Sequence, residues 1–210
     1  MKCIVCKSKK TDIFYTTDKK TYWKCSHCLA KFLDQSHYLD ESHEKDRYLE
    51  HQNEIGEPGY LKFLAKLSKP LKAKLKIYDK GLDFGCGHGP ALAEMLKADG
   101  FSIDLYDPFF YPNKDIFKKK YNFITCTETA EHFFNPRKEF KTLDSLLMPG
   151  GWLGVMTTFL TEDSLFNNWY YRRDPTHVVF YAERTLEIIA DQNNWQLEIP
   201  MKNVALFCKH

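Results

Sequence analysis

Four groups of residues in this 210-residue chain have types and spacings that could do chemistry. The pairs Cys3-x-x-Cys6 and Cys25-x-x-Cys28 each fit a tight turn with both thiolates on one side. Two such turns complete a tetrahedral sulfur site of the structural zinc type. Because Cys fills all four positions, no open coordination position is expected. The run Gly85-Cys86-Gly87-His88-Gly89 follows strand-type Leu82-Asp83-Phe84. It lets the backbone bend sharply and a ligand come close to it. Strong helix formers follow at Ala91–Lys97, so free backbone N–H groups and a positive helix end face that ligand. Asp107 ends the run Phe101–Tyr106, where a nucleotide-binding sheet places an acid to accept from ribose hydroxyls. Asp104 is the mid-strand alternative. Finally, Glu128-x-x-Glu131-His132 follows the β-branched run Tyr121–Thr127. On a helix, that spacing puts all three side chains on one face. There they could hold a hard divalent cation or act as a general base pair. With no chemistry at all, they would be carboxylates favoured by a helix N-terminus.

These groups need elements to hold them. Asp12–Thr16 and Thr21–Lys24 read as a hairpin over Thr17-Asp18-Lys19-Lys20, carrying the two cysteine knuckles. Residues 35–58 read as a polar helix broken before Gly56-Glu57-Pro58-Gly59. Tyr60–Leu75 reads as a second helix covering the first strand, with Leu64, Leu67, Leu71 and Leu75 at helical spacing. Pro70 should kink or split it. Met148-Pro149-Gly150-Gly151 reads as a stop and turn before a buried strand at Trp152–Thr158. Glu183–Asn194 reads as a helix, and 196–199 with 203–208 as a closing hairpin. The aromatic segment 164–173 reads as a lid or substrate wall. Cys86, Cys126 and Cys208 read as core thiols.

The net charge of +2 makes no global case for nucleic acid. The charge is uneven, however. Residues 1–34 carry eight Lys against three Asp, and residues 59–80 carry seven Lys against one Asp, whereas residues 81–210 are net acidic. No apolar run is long enough for a membrane, and the N-terminus has no apolar signal-peptide core. Seven cysteines, an odd number, argue against a disulfide framework, so a cytoplasmic protein is expected.

Over residues 77–210 the chain resembles a class I S-adenosylmethionine-dependent methyltransferase. The resemblance rests on Leu82–Gly89, Tyr106-Asp107-Pro108, Ile124–His132 and Leu147–Gly151. It implies an α/β fold, a Rossmann-like methyltransferase sheet of seven strands flanked by helices and ending in an antiparallel hairpin. Only about fourteen residues separate Asp107 from Asn122, so the third strand is expected to be short or missing. The implied layout is a small N-terminal zinc-ribbon module (1–34), a helical linker or cap (35–76) and the methyltransferase domain (77–210). The S-adenosylmethionine site would then take Asp83, Gly85, Cys86, Gly87, Gly89, Asp107, Pro108, Thr127 and Glu128. The Glu128–His132 segment resembles that of ubiquinone-biosynthetic O-methyltransferases. It also resembles the metal site of small-RNA 2′-O-methyltransferases, which implies Mg or Mn on Glu128, Glu131, His132 and a distant His, here His177. For methyl transfer to oxygen, His177 is the expected base, His132 the second choice and Asp174 a group to orient His177. The expected acceptor is a hydroxyl of a small molecule. The alternatives are RNA, held by the basic ribbon and the Lys-rich helix, and a binding module without catalysis.

Overall fold

The computed structural model describes residues 1–17, 19–50 and 57–210; Asp18 of the expected hairpin turn and Gly56 of the expected helix break lie outside them. The chain begins with β1 (Thr11–Thr16), β2 (Thr21–Cys25) and β3 (Lys31–Leu33). Two helices follow, α1 (Glu41–Leu49) and α2 (Pro58–Lys72). The order is then β4 (Lys80–Phe84), α3 (Ala91–Ala98), β5 (Ser102–Tyr106), β6 (Tyr121–Thr127), α4 (Pro136–Leu146) and β7 (Leu147–Met156). The chain ends with β8 (Val179–Phe180), α5 (Glu183–Asn193), β9 (Trp195–Met201) and β10 (Val204–Lys209).

The larger sheet has the order β5-β4-β6-β7-β10-β9. The first four strands are parallel, and the closing hairpin pairs antiparallel through β10 on β7. Among the described residues the sheet has six strands, where the resemblance implied seven. Residues 107–120 are too few for a strand and a helix. They form instead an Asp107–Tyr111 bridge and a 3-10 turn, Lys114–Lys118, that buries Ile116. β5 is therefore the sheet edge.

Helix α2 starts where the Glu57 carboxylate accepts from the amides of Gly59 and Tyr60, with Pro58 in the first turn. Leu64, Leu67 and Leu71 are buried on β7 and β10, not on the first strand of the sheet as expected. Gly154 makes the fit: a Cβ there would stand 2.9 Å from Leu67. Pro70 does not split the helix; it falls in the last turn. The Pro149-Gly150-Gly151 turn is also not separate from its strand. β7 runs through it, with a shift of register against β6 and Gly150 at φ +74°.

The second sheet is antiparallel, in the order β1-β2-β3-β8. Its last strand comes from the far end of the chain, so the N-terminal ribbon completes its sheet with residues 179–180. The cores are continuous as well: Cys3, Val5, Tyr22 and Phe32 share one buried cluster with Phe140, Phe180 and Leu186.

Candidate active site

The four expected zinc ligands converge. Their sulfurs lie within 4.8 Å of one another, with 3.6 Å from Cys3 to Cys28 and 3.6 Å from Cys6 to Cys25. A tetrahedron with metal–sulfur bonds of about 2.3 Å has edges of about 3.8 Å, so the donor set fits zinc. The residue after each knuckle, Lys7 and Leu29, takes φ +62°. Each returns its amide to the carbonyl of the knuckle's first cysteine, Cys3 or Cys25.

A cleft of about 1150 Å³ opens at the carboxyl ends of β4, β5 and β6. This is the switch point of the sheet, where strand order reverses on either side of β4. Gly85 to Gly89, Asp107, Pro108, Thr127 and Glu128 all line it. Gly85 takes φ +77° and packs so closely on Thr129 that a Cβ would lie 2.1 Å from Thr129 Cγ2. Gly87 takes φ +63° with open space where its Cβ would be. The Asp107 carboxylate accepts from the amides of Gly87 (3.1 Å), Phe109 (2.9 Å) and Phe110 (3.1 Å). Oδ2 has only the Gly87 bond, which leaves it acceptor capacity. Asp104 is committed elsewhere, to Lys119 and the Tyr121 hydroxyl.

Asp83 does not line the cleft. It pairs in register with Thr125 in the middle of the sheet, is 3% exposed, and accepts from the Thr125 hydroxyl at 2.7 Å. Burial pushes its carboxyl up to about 6. The folded state therefore favours the protonated form. The stabilisation is full below the usual carboxylate pKa of about 4 and is lost as pH rises through 6. Asp83→Asn is expected to be the more stable protein above pH 6, by up to about 3 kcal/mol, and to flatten the dependence between pH 4 and 6. Urea midpoints across that range check this. Of the other expected core thiols, Cys126 is fully buried, whereas Cys86 lines the cleft and Cys208 is half-buried.

Residues 128–132 do not form the expected helix. Glu128 takes φ +47° while its amide stays bonded to the Met156 carbonyl, and a short 3-10 turn covers Ala130–His132. The helical face of Glu128, Glu131 and His132 is lost. A different trio forms instead: Glu131, His132 and His177 each bring one donor atom within 4.8 Å of the others. The imidazoles of His132 and His177 meet edge to face at 4.8 Å. Nδ1 of His177 lies 2.7 Å from the Tyr171 carbonyl, and Nδ1 of His132 lies 3.1 Å from the Thr176 carbonyl. Since a carbonyl only accepts, Nδ1 is the donor in both contacts, and Nε2 is the ring nitrogen left over in each. Burial lowers the His132 pKa to about 4, so that ring stays neutral. Glu131 is 1% exposed; the Tyr171 hydroxyl donates to its Oε1, while Oε2 is buried without a hydrogen-bond partner. Burial, reinforced by the Glu131 charge, raises Glu128 to about 9, so it is protonated at neutral pH.

Asp174 accepts from the Thr176 amide and hydroxyl and from Arg47. Arg47 belongs to a wall of the cleft that the sequence reading passed over. Helix α1 presents Glu41, Glu44 and Tyr48, spaced i, i+3, i+7, to the cleft. The Tyr48 ring lies 5.2 Å from His132 and 5.7 Å from Phe109. Within 164–173, Phe166 is buried, Tyr171 is buried yet reaches the cleft, and Tyr170 and Arg173 line the cleft.

A family model described as a methyltransferase domain matches residues 47–198. No curated protein matches the chain in sequence. Among solved structures it is similar to a SAM-dependent methyltransferase from Methanosarcina mazei, at 14% identity and TM-score 0.51 over 66% of this chain and 94% of that one. It is also similar to CalO1, a methyltransferase in calicheamicin biosynthesis with S-adenosylhomocysteine bound, at 10% identity and TM-score 0.52 over 70% of this chain and 54% of that one. At these identities the likeness is one of fold. The family match spans well over half of the sequence, and the chain belongs to the class I S-adenosylmethionine-dependent methyltransferases.

Proposed function

We propose that this enzyme methylates a hydroxyl group of a small molecule, with His177 as the proton acceptor. The observation that carries the reading is the pair of imidazoles with Nδ1 pinned to backbone carbonyls, beside a buried carboxylate and inside the donor cleft. Bound S-adenosylmethionine supplies an activated sulfonium methyl. The Gly85–Gly89 turn, with Cys86 and the open face of Gly87, would hold its methionine part. Asp107 and Pro108 would hold the ribose, and Thr127 and Glu128 would form the floor. The chain's own work is alignment of the acceptor oxygen behind the methyl carbon and removal of its proton. With an activated methyl supplied there, Nε2 of His177 would take the proton of the acceptor hydroxyl as its oxygen is methylated. His132, held neutral, is the second acceptor or orients the hydroxyl.

Charge favours a small acceptor over RNA. Glu41, Glu44, Glu131 and Asp174 line the cleft, and carboxylates repel a phosphodiester. Several of the lysines that pointed to RNA are engaged locally: Lys24 and Lys31 by Asp163, Lys72 by Asp99, and Lys74 by Glu198. The chemical test is the bond formed. Labelled product treated with base is expected to keep its label as a methyl ether; release of volatile methanol would mean an ester and would overturn the hydroxyl reading.

The buried, unpartnered Oε2 of Glu131 supports a second reading, in which Glu131, His132 and His177 ligate a divalent cation. Two imidazole nitrogens and one carboxylate suit Mn better than Mg, which takes oxygen ligands. Glu128 would stand outside this set. Treatment with EDTA that leaves the ribbon metal in place separates the two readings: unchanged turnover is expected for His177 as proton acceptor, and loss restored by Mn for the metal.

The ribbon cysteines are proposed to hold one structural zinc, supported by the sulfur spacing. Metal analysis is expected to find one zinc per chain. Cys25→Ser is expected to lose it and to lower the melting temperature; full stability without zinc would contradict the assignment.

A further inference from the structure

We infer that the cysteine ribbon is the foundation of the acceptor wall: β3 and the ribbon's aromatic face position His177 and Glu131, while the methyl-donor loops stand independently of it. The inference rests on the reading of His177 as the proton acceptor.

The path runs through Val178. β3 pairs with β8, Lys31 opposite Phe180 and Phe32 opposite Val179. One step earlier, the Leu33 amide donates to the Val178 carbonyl at 2.8 Å. The Val178 amide in turn donates to the Glu131 carbonyl at 2.9 Å. A single peptide backbone is thus held by the ribbon on one side and by the catalytic segment on the other. His177 precedes Val178, and His132 follows Glu131. The second cysteine knuckle is fixed to the same region, since the Cys28 carbonyl accepts from the buried Thr185 hydroxyl at 2.8 Å.

A second path reaches the same residues from below. The Phe166 ring packs edge-on against Phe14 at 5.2 Å and Tyr22 at 5.1 Å, both from the ribbon, and against Phe180 at 5.4 Å. Trp169 continues from Phe166 to Tyr171, with rings 5.2 Å apart in the last pair. Tyr171 then touches both His177 and Glu131. Its carbonyl accepts from His177 Nδ1, its ring lies 4.2 Å from that imidazole, and its hydroxyl donates to Glu131. Lys31, 3% exposed, secures the start of this segment through Asp163. Among the described residues, no hydrogen bond or ion pair joins residues 1–34 to the Gly85–Gly89 turn or to Asp107–Phe110. Phe166 and Tyr171 are therefore positioning residues.

The test reads amide hydrogen exchange and S-adenosylhomocysteine affinity in the full-length protein, neither of which needs the acceptor. Stripping the ribbon metal with a chelator is expected to speed exchange across residues 171–181 at least tenfold. Exchange across 82–84 and 124–126 should stay unchanged, and S-adenosylhomocysteine affinity should stay within threefold. Phe166→Leu, which leaves all four cysteines in place, is expected to do the same with metal content intact, and it decides the matter if stripping unfolds the whole chain. Unaltered exchange at 171–181 in Phe166→Leu would overturn the inference, as would a loss of donor affinity parallel to the loss of protection. If the exchange result holds and no hydroxyl is methylated, the function reading fails alone.

Discussion

His177→Ala lowers turnover by about 10²–10⁴-fold, the usual contribution of a positioned general base, and leaves S-adenosylhomocysteine affinity within twofold. The reason is geometric. The His177 ring is 8% exposed and is held from one side by the Tyr171 carbonyl, so its remaining nitrogen is directed rather than free to wander. It makes no hydrogen bond to the glycine turn or to Asp107, so removing it has no route to the donor. His132→Ala is expected to cost less, because the Thr176 carbonyl that holds it at 3.1 Å is a longer, weaker anchor. Turnover measured under donor saturation, with calorimetry on each variant, checks both. Equal losses of turnover and donor affinity would place His177 in the donor site instead.

Gly85→Ala weakens S-adenosylhomocysteine binding by at least about 100-fold, equivalent to about 2.7 kcal/mol, and also lowers the melting temperature. Two penalties coincide there. The backbone sits at φ +77°, where an L side chain costs about 1–2 kcal/mol. The new methyl would also stand 2.1 Å from Thr129 Cγ2 and 2.5 Å from its hydroxyl. Thr129 would have to abandon its 3.0 Å bond to the Gly85 carbonyl, which ties the glycine turn to the loop after β6. Gly87→Ala carries only the first penalty, because its Cβ position is open. It is expected to lose about 10-fold, or about 1.4 kcal/mol. Calorimetry on the two variants side by side checks the ranking, and a Gly87 effect larger than the Gly85 effect would contradict it.

The parts of this enzyme that could be read from its sequence are those whose geometry is local. The cysteine knuckles, the glycine turn, Asp107 at the end of β5 and the closing β9–β10 hairpin each depend on a few neighbouring residues. The spacing of fourteen residues pointed to a third strand short or missing, and left open which of the two it is. What failed depended on distant partners or on one unusual dihedral. Glu128 looks like the first residue of a helix, but its amide stays in the sheet through Met156 and its φ turns positive. That redirects the segment and removes Glu128 from the expected cluster, leaving Glu131, His132 and His177. Asp83 sits beside the glycine turn in sequence, yet strand alternation points it at Thr125. The α1 wall was missed because its nine residues bury no side chain of their own, leaving no apolar stripe to notice. β8 is two residues long, and only its pairing with β3, nearly 150 residues away, makes it a strand.

The central claim is methyl transfer from S-adenosylmethionine to a small molecule in a carboxylate-lined cleft. Its most direct test is transfer of labelled methyl into a cell extract separated into small-molecule, RNA and protein fractions, with the His177→Ala variant run beside the intact enzyme. Label is predicted in the small-molecule fraction with the intact enzyme and at least 100-fold less with the variant, the low end of a general-base contribution of about 10²–10⁴. Label in RNA or protein, or equal labelling by the two enzymes, would contradict it.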